Sequence, residues 1–395
     1  MASGASGVAL GLVPPLPIIG GLLGQGGEPP AQAPSHASHE VRAVSTGDRS
    51  ELIKRLPITR RAGSRPRVAM SLGPAKLGTL RAGQRIHLSA EVEVSTTCVD
   101  PGQRCIGRRY GFNPSVRARL YLGRKAHGLA RSVPVSDPEA LRCSQRRPNR
   151  NHHCTLVIRG AGFRVARDSR LPCQPDRCHV NLVLDAHNRR ARKGNVLVVG
   201  ADRPDGKVEQ DKGRINALIL GKGVRRSDRA RFAQGSRARR SLPVGNHDSG
   251  GQTVIYSLPL RHLRRGDALD VRARAVTAIG RLPYNVYIGA HLVLAPGPSA
   301  VSPGRVGRRV GSQQGKLDEV NGFNCTHGPS AFKDPCVTRK VGVLRIKRAP
   351  AAVGHAGPMY LNLVAHASAL LAKAGEGDRA RELGRGALVA VRYRP

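Results

Sequence analysis

Tryptophan is absent from this chain of 395 residues, and Phe, Tyr and Trp together make up only 3 % of it. Single-stranded bases and sugar rings are both commonly held by stacking on exposed aromatic rings, so the shortage argues against a stacking platform of either kind. Acidic residues are scarce as well: 26 Asp and Glu stand against 66 Lys and Arg, a formal net charge of +40. A surface so unbalanced attracts polyanions and repels copies of itself. Part of the Arg excess is what a GC-rich reading frame writes alongside Ala, Gly and Pro, but that bias does not remove acids. The short signatures of catalysis and cofactor binding are missing too. There is no Gly-x-Ser-x-Gly elbow, no Gly-x4-Gly-Lys-Ser/Thr phosphate loop and no His-Glu-x2-His pair. The chain therefore reads as a non-catalytic protein without cofactor or metal, an enzyme of unrecognised type being the distant alternative.

Long apolar runs are confined to the beginning. Val8 to Gly24 (VALGLVPPLPIIGGLLG) is apolar and is followed by Ala31-Gln32-Ala33, a small-x-small pattern of the kind that precedes signal cleavage. Pro14, Pro15 and Pro17 interrupt the run, and no basic residue precedes it. Residues 1–52 are read as a signal-like apolar segment and flexible tail, which points to an extracellular or cell-envelope protein. No other stretch approaches the roughly 18 apolar residues that a membrane-crossing helix requires.

What the chain does contain, it contains twice. KRLPITRRAGSRPRVAMSL (54–72) lies over RSLPVGNHDSGGQTVIYSL (240–258) without a gap, and LGTLRAGQRIHLSAEVEV (77–94) over LRHLRRGDALDVRARAVT (260–277). VRARLYL (116–122) then matches IGAHLVL (288–294), HVNLVL (179–184) matches YLNLVA (360–365), and GRINALIL (213–220) matches GRGALVAV (384–391). Matches kept in one order signify a tandem duplication. The copies span 53–222 and 239–395, with a basic linker at 223–238 that takes in most of RRSDRARFAQGSRARR (225–240).

Each matched piece has strand character. Ile86, Leu88, Ala90, Val92 and Val94 alternate with His87, Ser89, Glu91 and Glu93, the period-two pattern of a half-buried strand. Leu269, Val271, Ala273 and Ala275 repeat it, as do Val116, Ala118, Leu120 and Leu122. Gly83 and Gly266 occupy the last place of Leu-Arg-x-Gly turns, where a positive φ suits Gly. Amphipathic helices are scarce. These features predict an all-β protein of two tandem, duplicated β-sandwich domains of jelly-roll-like form.

Eight Cys fall into four local pairs: Cys98 and Cys105, Cys143 and Cys154, Cys173 and Cys178, Cys325 and Cys336. The Cys-x10-Cys loop recurs in the second copy, whereas the basic and His residues inside CSQRRPNRNHHC do not, so what the duplication retains is a cross-link. Closing such a loop stabilises a domain by roughly 3 kcal/mol. Local pairing on this scale implies disulfides and an oxidising compartment. Zinc is the rival reading for Cys154, Cys173, Cys178 and His179 or His153, although Cys-x2-Cys spacing is absent. Asp185 and His187 read as polar residues at a strand end, and Asn181 and Asn362 as partners of backbone groups.

Function is expected to follow charge. The first reading is a secreted, non-catalytic structural or adhesive protein of envelope or matrix; the alternative is a nonspecific polyanion-binding protein whose partner is nucleic acid. The expected partners are anionic polymers or surfaces, cell-wall polymer or nucleic acid. Candidate contacts are Arg146, Arg147 and Arg150 in the first tied loop and Arg189, Arg190, Arg192 and Lys193 after HVNLVLDAH.

Overall fold

Val116, Ala118, Leu120 and Leu122 are buried while Arg117 between them is exposed, the alternation that a pleated strand imposes on side chains. The same rule organises nearly all of the chain. A computed structural model describes residues 40–46, 55–95, 114–142, 153–165, 171–192, 195–199, 201–202, 208–209, 213–232, 240–246, 252–279, 286–298, 323–327, 336–347, 358–369, 379–383 and 385–395. The first half forms β1 (Val41–Ser45), β2 (Arg55–Thr59), β3 (Arg67–Leu72), helix α1 (Pro74–Leu77), β4 (Arg85–Ser95), β5 (Ser115–Gly123), β6 (Val133–Pro134), β7 (Glu139–Arg142), β8 (His153–Arg164), β9 (His179–His187) and β10 (Val196–Val199). A hairpin of β11 (Ala201–Asp202) and β12 (Val208–Glu209) precedes β13 (Gly213–Leu220). The second half forms β14 (Arg225–Phe232), β15 (Arg240–Asn246), β16 (Gln252–Leu260), β17 (Ala268–Ile279), β18 (Val286–Ala295), β19 (Phe323–His327), β20 (Cys336–Arg345), β21 (Met359–Ala369), β22 (Arg379–Glu382) and β23 (Ala387–Arg394).

Two sheets share one strand order. The first runs β1-β13-β4-β10-β2-β9-β5-β6, with β8 on β4, β3 on β9 and β7 on β5. The second runs β14-β23-β17-β22-β15-β21-β18-β19, with β20 on β17 and β16 on β21. In each, one strand changes layer. β2 pairs antiparallel with β10 through Leu56 and Pro57, then parallel with β9 through Ile58 and Thr59. β15 does the same with β22 and then β21. The Leu-Pro-Ile/Val match in the sequence is therefore the corner at which a strand crosses between the layers of a sandwich. Between the layers, Ile86, Leu88 and Val92 of β4 meet Leu120 and Leu122 of β5 in one apolar core, and Leu269 and Val271 of β17 meet Leu292 and Leu294 of β18 in another.

Registers extend the correspondence to single residues. Ser71 stands opposite Asn181, and Ser257 opposite Asn362. Both Asn side chains are fully buried and donate to loop carbonyls, Asn181 to Lys125 and Gly128, Asn362 to Gly297. Both strands opposite carry a register shift, at Val68/Met70 and Val254/Tyr256. Gly83 and Gly266 close the two Leu-Arg-x-Gly turns at φ +85° and +93°. The last sequence match is displaced by two residues: Gly213 faces Val92 as the place of Gly386 faces that of Ala275, not Gly384. A slip of two keeps every side chain on its own face, which is why the apolar match survived it.

Two expectations change. Arg225–Phe232, within the stretch expected to be a solvated linker, is edge strand β14, paired with β23 as β1 is paired with β13. Its exposed Arg225, Arg226 and Arg229 suit an edge, which charge protects from further pairing, and so it lacks the apolar alternation that marks the inner strands. β1 likewise falls within the stretch read as a tail. Second, β4 is not half-buried. Ser89, Glu91 and Glu93 are all buried on its polar face, because β20 of the second half lies beside β1, β4, β8 and β13.

The junction combines an apolar seam with an ion pair. Val41, Leu218, Leu220 and Val224 pack with Ala268 and Tyr393. Beside them Lys340 Nζ lies 3.5 Å from Glu91 Oε1, both side chains nearly sealed from solvent at 2 % and 4 % exposure. Arg214 stands directly opposite Glu91 in the β4–β13 ladder, the cross-strand place where opposite charges attract.

Removing one charge of such a pair leaves the other buried with less compensation. Lys340→Met is expected to destabilise the protein by about 3–5 kcal/mol in denaturant unfolding, whereas Glu91→Met combined with Lys340→Met should recover most of that loss. A double variant whose loss equals the sum of the losses of Lys340→Met and Glu91→Met alone would show that the pair has no energetic coupling. Because each half has its own core, chains 36–222 and 223–395 are each expected to fold alone. Two fragments that gain strand structure by circular dichroism only on mixing would show instead that the halves share one core.

Candidate functional site

The turn after β9 carries three of the expected cationic contacts. Asn188 Oδ1 accepts from Arg190 N at 2.8 Å and Asn195 Oδ1 from Arg192 N at 2.7 Å, side-chain bonds that fix a tight turn. Ala191 is buried beneath it, and Arg189, Arg190 and Arg192 are exposed. The parallel pairing of Thr59 with His187 brings a second basic loop alongside. Arg60 Nε donates to Ala191 O at 3.1 Å, and Arg60, Arg61 and Arg65 are exposed. The acid between these loops, Asp185, is buried and accepts from Gly63 N at 2.7 Å. Six arginines thus stand at one end of the sandwich. Arg60, Arg61 and Arg65 were not foreseen, since in sequence they are far from the turn and only the parallel pairing joins them.

A cleft of about 590 Å³ opens elsewhere in the first half, lined by Arg119, Pro134–Glu139 and Ile158–Phe163. A bulge in β8 shapes it. Ala90 pairs with Ile158 and Leu88 with Ala161, so Arg159 and Gly160 together oppose the single Ser89. Gly160 takes φ +68°, and Gly162 at φ +154° lies so close to β4 that a Cβ would fall 2.2 Å from Ile86 O. The bulge leaves Arg159 exposed at the cleft. Across the cleft Arg119 Nε donates to Ser136 O at 2.8 Å, while Ser136 Oγ accepts from Leu120 N at 2.9 Å.

Of the other expected site residues, Cys173 and Cys178 form a disulfide with an S–S distance of 2.09 Å. That bond removes two ligands of the rival zinc reading, and among the described residues no three of His, Cys, Asp and Glu gather as a metal site. Cys154, Cys325 and Cys336 fall on β8, β19 and β20, but their side chains, and all of Cys98, Cys105 and Cys143, lie outside the described residues. Arg146, Arg147, Arg150 and Lys193 lie outside them too. Asp185 makes its bond to Gly63, and none joins it to His187. No helix among the described residues is long and apolar enough to cross a membrane.

No family model matches the chain, and no curated protein matches it. Among solved structures, it is similar to the VP2 subviral particle of infectious bursal disease virus at 10 % identity and a TM-score of 0.27, over 92 % of this chain and 79 % of that one. The Macrobrachium rosenbergii nodavirus structure aligns at 9 % identity and a TM-score of 0.16, over 95 % and 97 %. A triple jelly-roll turret structure of an archaeal virus aligns at 10 % and 0.15, over 86 % and 58 %. Likenesses at such TM-scores carry no inference about this chain, whose all-β fold rests on its own strand pairing.

Electrostatics at the junction between the halves depend on pH. The His87 ring packs at 5.3 Å from that of Tyr393, tilted by 53°. Burial holds His87 below the ordinary imidazole range and the charges of Arg85 and Arg272 add to this, while Asp270 opposes it. Burial likewise pushes the Tyr393 phenol up. The unfolded chain takes up a proton at His87 near the ordinary value of about 6.5, and the folded one only at lower pH. Stability is thus expected to fall as pH drops below about 6.5 and to level off below the folded-state value. His87→Gln should show a smaller loss of Tm between pH 7.5 and 5.5 than the native chain; identical losses would exclude His87 as a contributor.

Proposed function

We propose that this protein is a non-catalytic structural or adhesive component of an extracellular matrix or cell envelope, attached to anionic polymer by charge. The observation that carries the reading is the end of the first sandwich, where Arg60, Arg61, Arg65, Arg189, Arg190 and Arg192 face solvent while the nearby acid, Asp185, is turned inward. Arginine forks bind phosphate and carboxylate bidentately and are always charged. A cationic surface with few aromatics favours attraction to the polymer backbone over readout of bases. The Cys173–Cys178 disulfide supports an oxidising compartment, hence secretion. We infer the same bond for Cys98 with Cys105, Cys143 with Cys154, and Cys325 with Cys336. Nucleic acid is the second reading, because its phosphates offer the same chemistry to the same arginines.

Affinity for two unrelated DNA duplexes and for an anionic cell-wall polymer is expected to fall together as salt rises, through screening and loss of counterion release. Replacing Arg189, Arg190 and Arg192 by Gln should weaken all three ligands alike. For the duplexes it should flatten the slope of log affinity against log salt by up to about 2.7, at about 0.9 per lost contact. Tight binding of one duplex that survives high salt would overturn the charge-only reading and favour a sequence-reading nucleic-acid protein.

A further inference from the structure

Four arginines converge where the cleft of the first half meets the second half. Arg159 comes from the β8 bulge, Arg272 and Arg274 from one face of β17, and Arg339 from β20, where it stands directly opposite Arg274 in the ladder. Like charges placed opposite each other in adjacent strands repel. Arg272 reaches across to the bulge: its Nη1 lies 3.5 Å from the point that a Cβ on Gly160 would occupy. Two carboxylates answer the four cations. Glu139 Oε1 lies 3.3 Å from Arg339 Nη1, and Asp270 Oδ2 lies 3.0 Å from Arg272 Nη2. Each contact engages one of the five N–H donors of its guanidinium. Nε of Arg272 and Nε of Arg339 are buried and find no acceptor among the described residues, and Arg159 and Arg274 make no ion pair among them. Partial burial first, then Arg339, with Arg272 and Arg274 adding and Glu139 opposing, shifts the Arg159 guanidinium below its ordinary range. Arginine does not relieve such crowding by losing its proton. An arriving anion does.

We propose that Arg159, Arg272, Arg274 and Arg339 form an oxyanion site for a phosphate group, free or as a phosphodiester of a polymer, that bridges the two halves of the chain. The site is separate from the arginine end of the first sandwich and stands whether or not that end takes up polymer. Glu139 marks its boundary on the cleft side, and the Gly160 bulge holds the ligand-facing Arg159 against Arg272. Because Arg159 belongs to one half and the other three to the second, a bound phosphate fastens the halves together.

Inorganic phosphate and a short polyphosphate serve as probes, with chloride at equal ionic strength as the control, read by calorimetry and by Tm. The native protein is expected to bind phosphate saturably at one site and to gain Tm over chloride. Arg159→Gln and Arg274→Gln each remove a cation that has no ion-pair partner among the described residues, so each should raise Tm in the absence of phosphate and weaken phosphate binding at least tenfold. These opposite signs separate loss of the site from a damaged fold. Binding of polyphosphate alone, lost in the same variants, assigns the site to a polymer's phosphate; binding of both assigns it to phosphate in general. Native affinity in either variant, a lowered Tm in both, or no gain over chloride with either probe would overturn the proposal. The triple Gln variant at Arg189, Arg190 and Arg192 should keep phosphate binding here, so failure of the polymer reading and failure of this site are told apart.

Discussion

Glu91 and Lys340 meet where water is excluded, and two charges so placed are tolerated only while both are present. Their position dictates much around them. Glu91 lies on the polar face of β4, a face that an isolated sandwich would turn to solvent. Here β20 covers it, and the second half supplies Lys340 to the buried carboxylate in addition to the first half's Arg214 across the ladder. The apolar seam from Val41 to Tyr393 runs along the same junction, and the arginines of β17 and β20 reach the first half's cleft because that seam sets the strands beside it.

Among the described residues the interior holds more acids than bases. Glu91, Glu93, Asp185, Asp267 and Asp270 are all buried. Asp267 shows what such a residue does: its carboxylate accepts from Arg264 N and from Arg394 Nε, closing the turn before β17. At the equivalent turn Gln84 accepts from Arg81 N with an uncharged group. Carboxylates used as internal acceptors no longer offset cations outside. Arg214 and Lys340 are the buried cations among the described residues, so the exposed part of these residues is more one-sided than their composition, and the edge strand β14 carries part of that excess.

The strand pattern, the repeated strand order and the Gly turns were legible in the sequence because each is a local signal: period-two alternation, a repeated order of matches, a Gly at a fixed place. What covers a strand's second face is not local. His87 and Glu91 alternate with apolar residues as any solvent-facing residues do, and only the packing of Tyr393 against the one and of β20 against the other distinguishes them. The Arg189 turn was legible as a charge run, whereas its partners Arg60, Arg61 and Arg65 depend on parallel pairing across more than a hundred residues of chain. The junction arginines come from three strands in two halves, one of them re-aimed by a bulge, and no linear spacing records that. β14 escaped notice because an edge strand written in Arg looks like a linker.

Gly221 to Val224, the four residues between β13 and β14, are the covalent link between the halves. Gly221 N donates to Glu40 O at 2.7 Å, Val224 N to Gly221 O at 3.2 Å, and Val224 is buried in the seam. A connection this short holds the two faces at a very high effective concentration, so their docking is an intramolecular event. The translational freedom that two separate proteins would lose on meeting is already gone. A junction containing a buried ion pair and a crowd of like charges needs less favourable contact free energy to persist when tethered than it would between free partners. The same tether leaves the polar composition of the joint free to change without loss of the assembly, since the covalent chain, not the interface, keeps the halves in company.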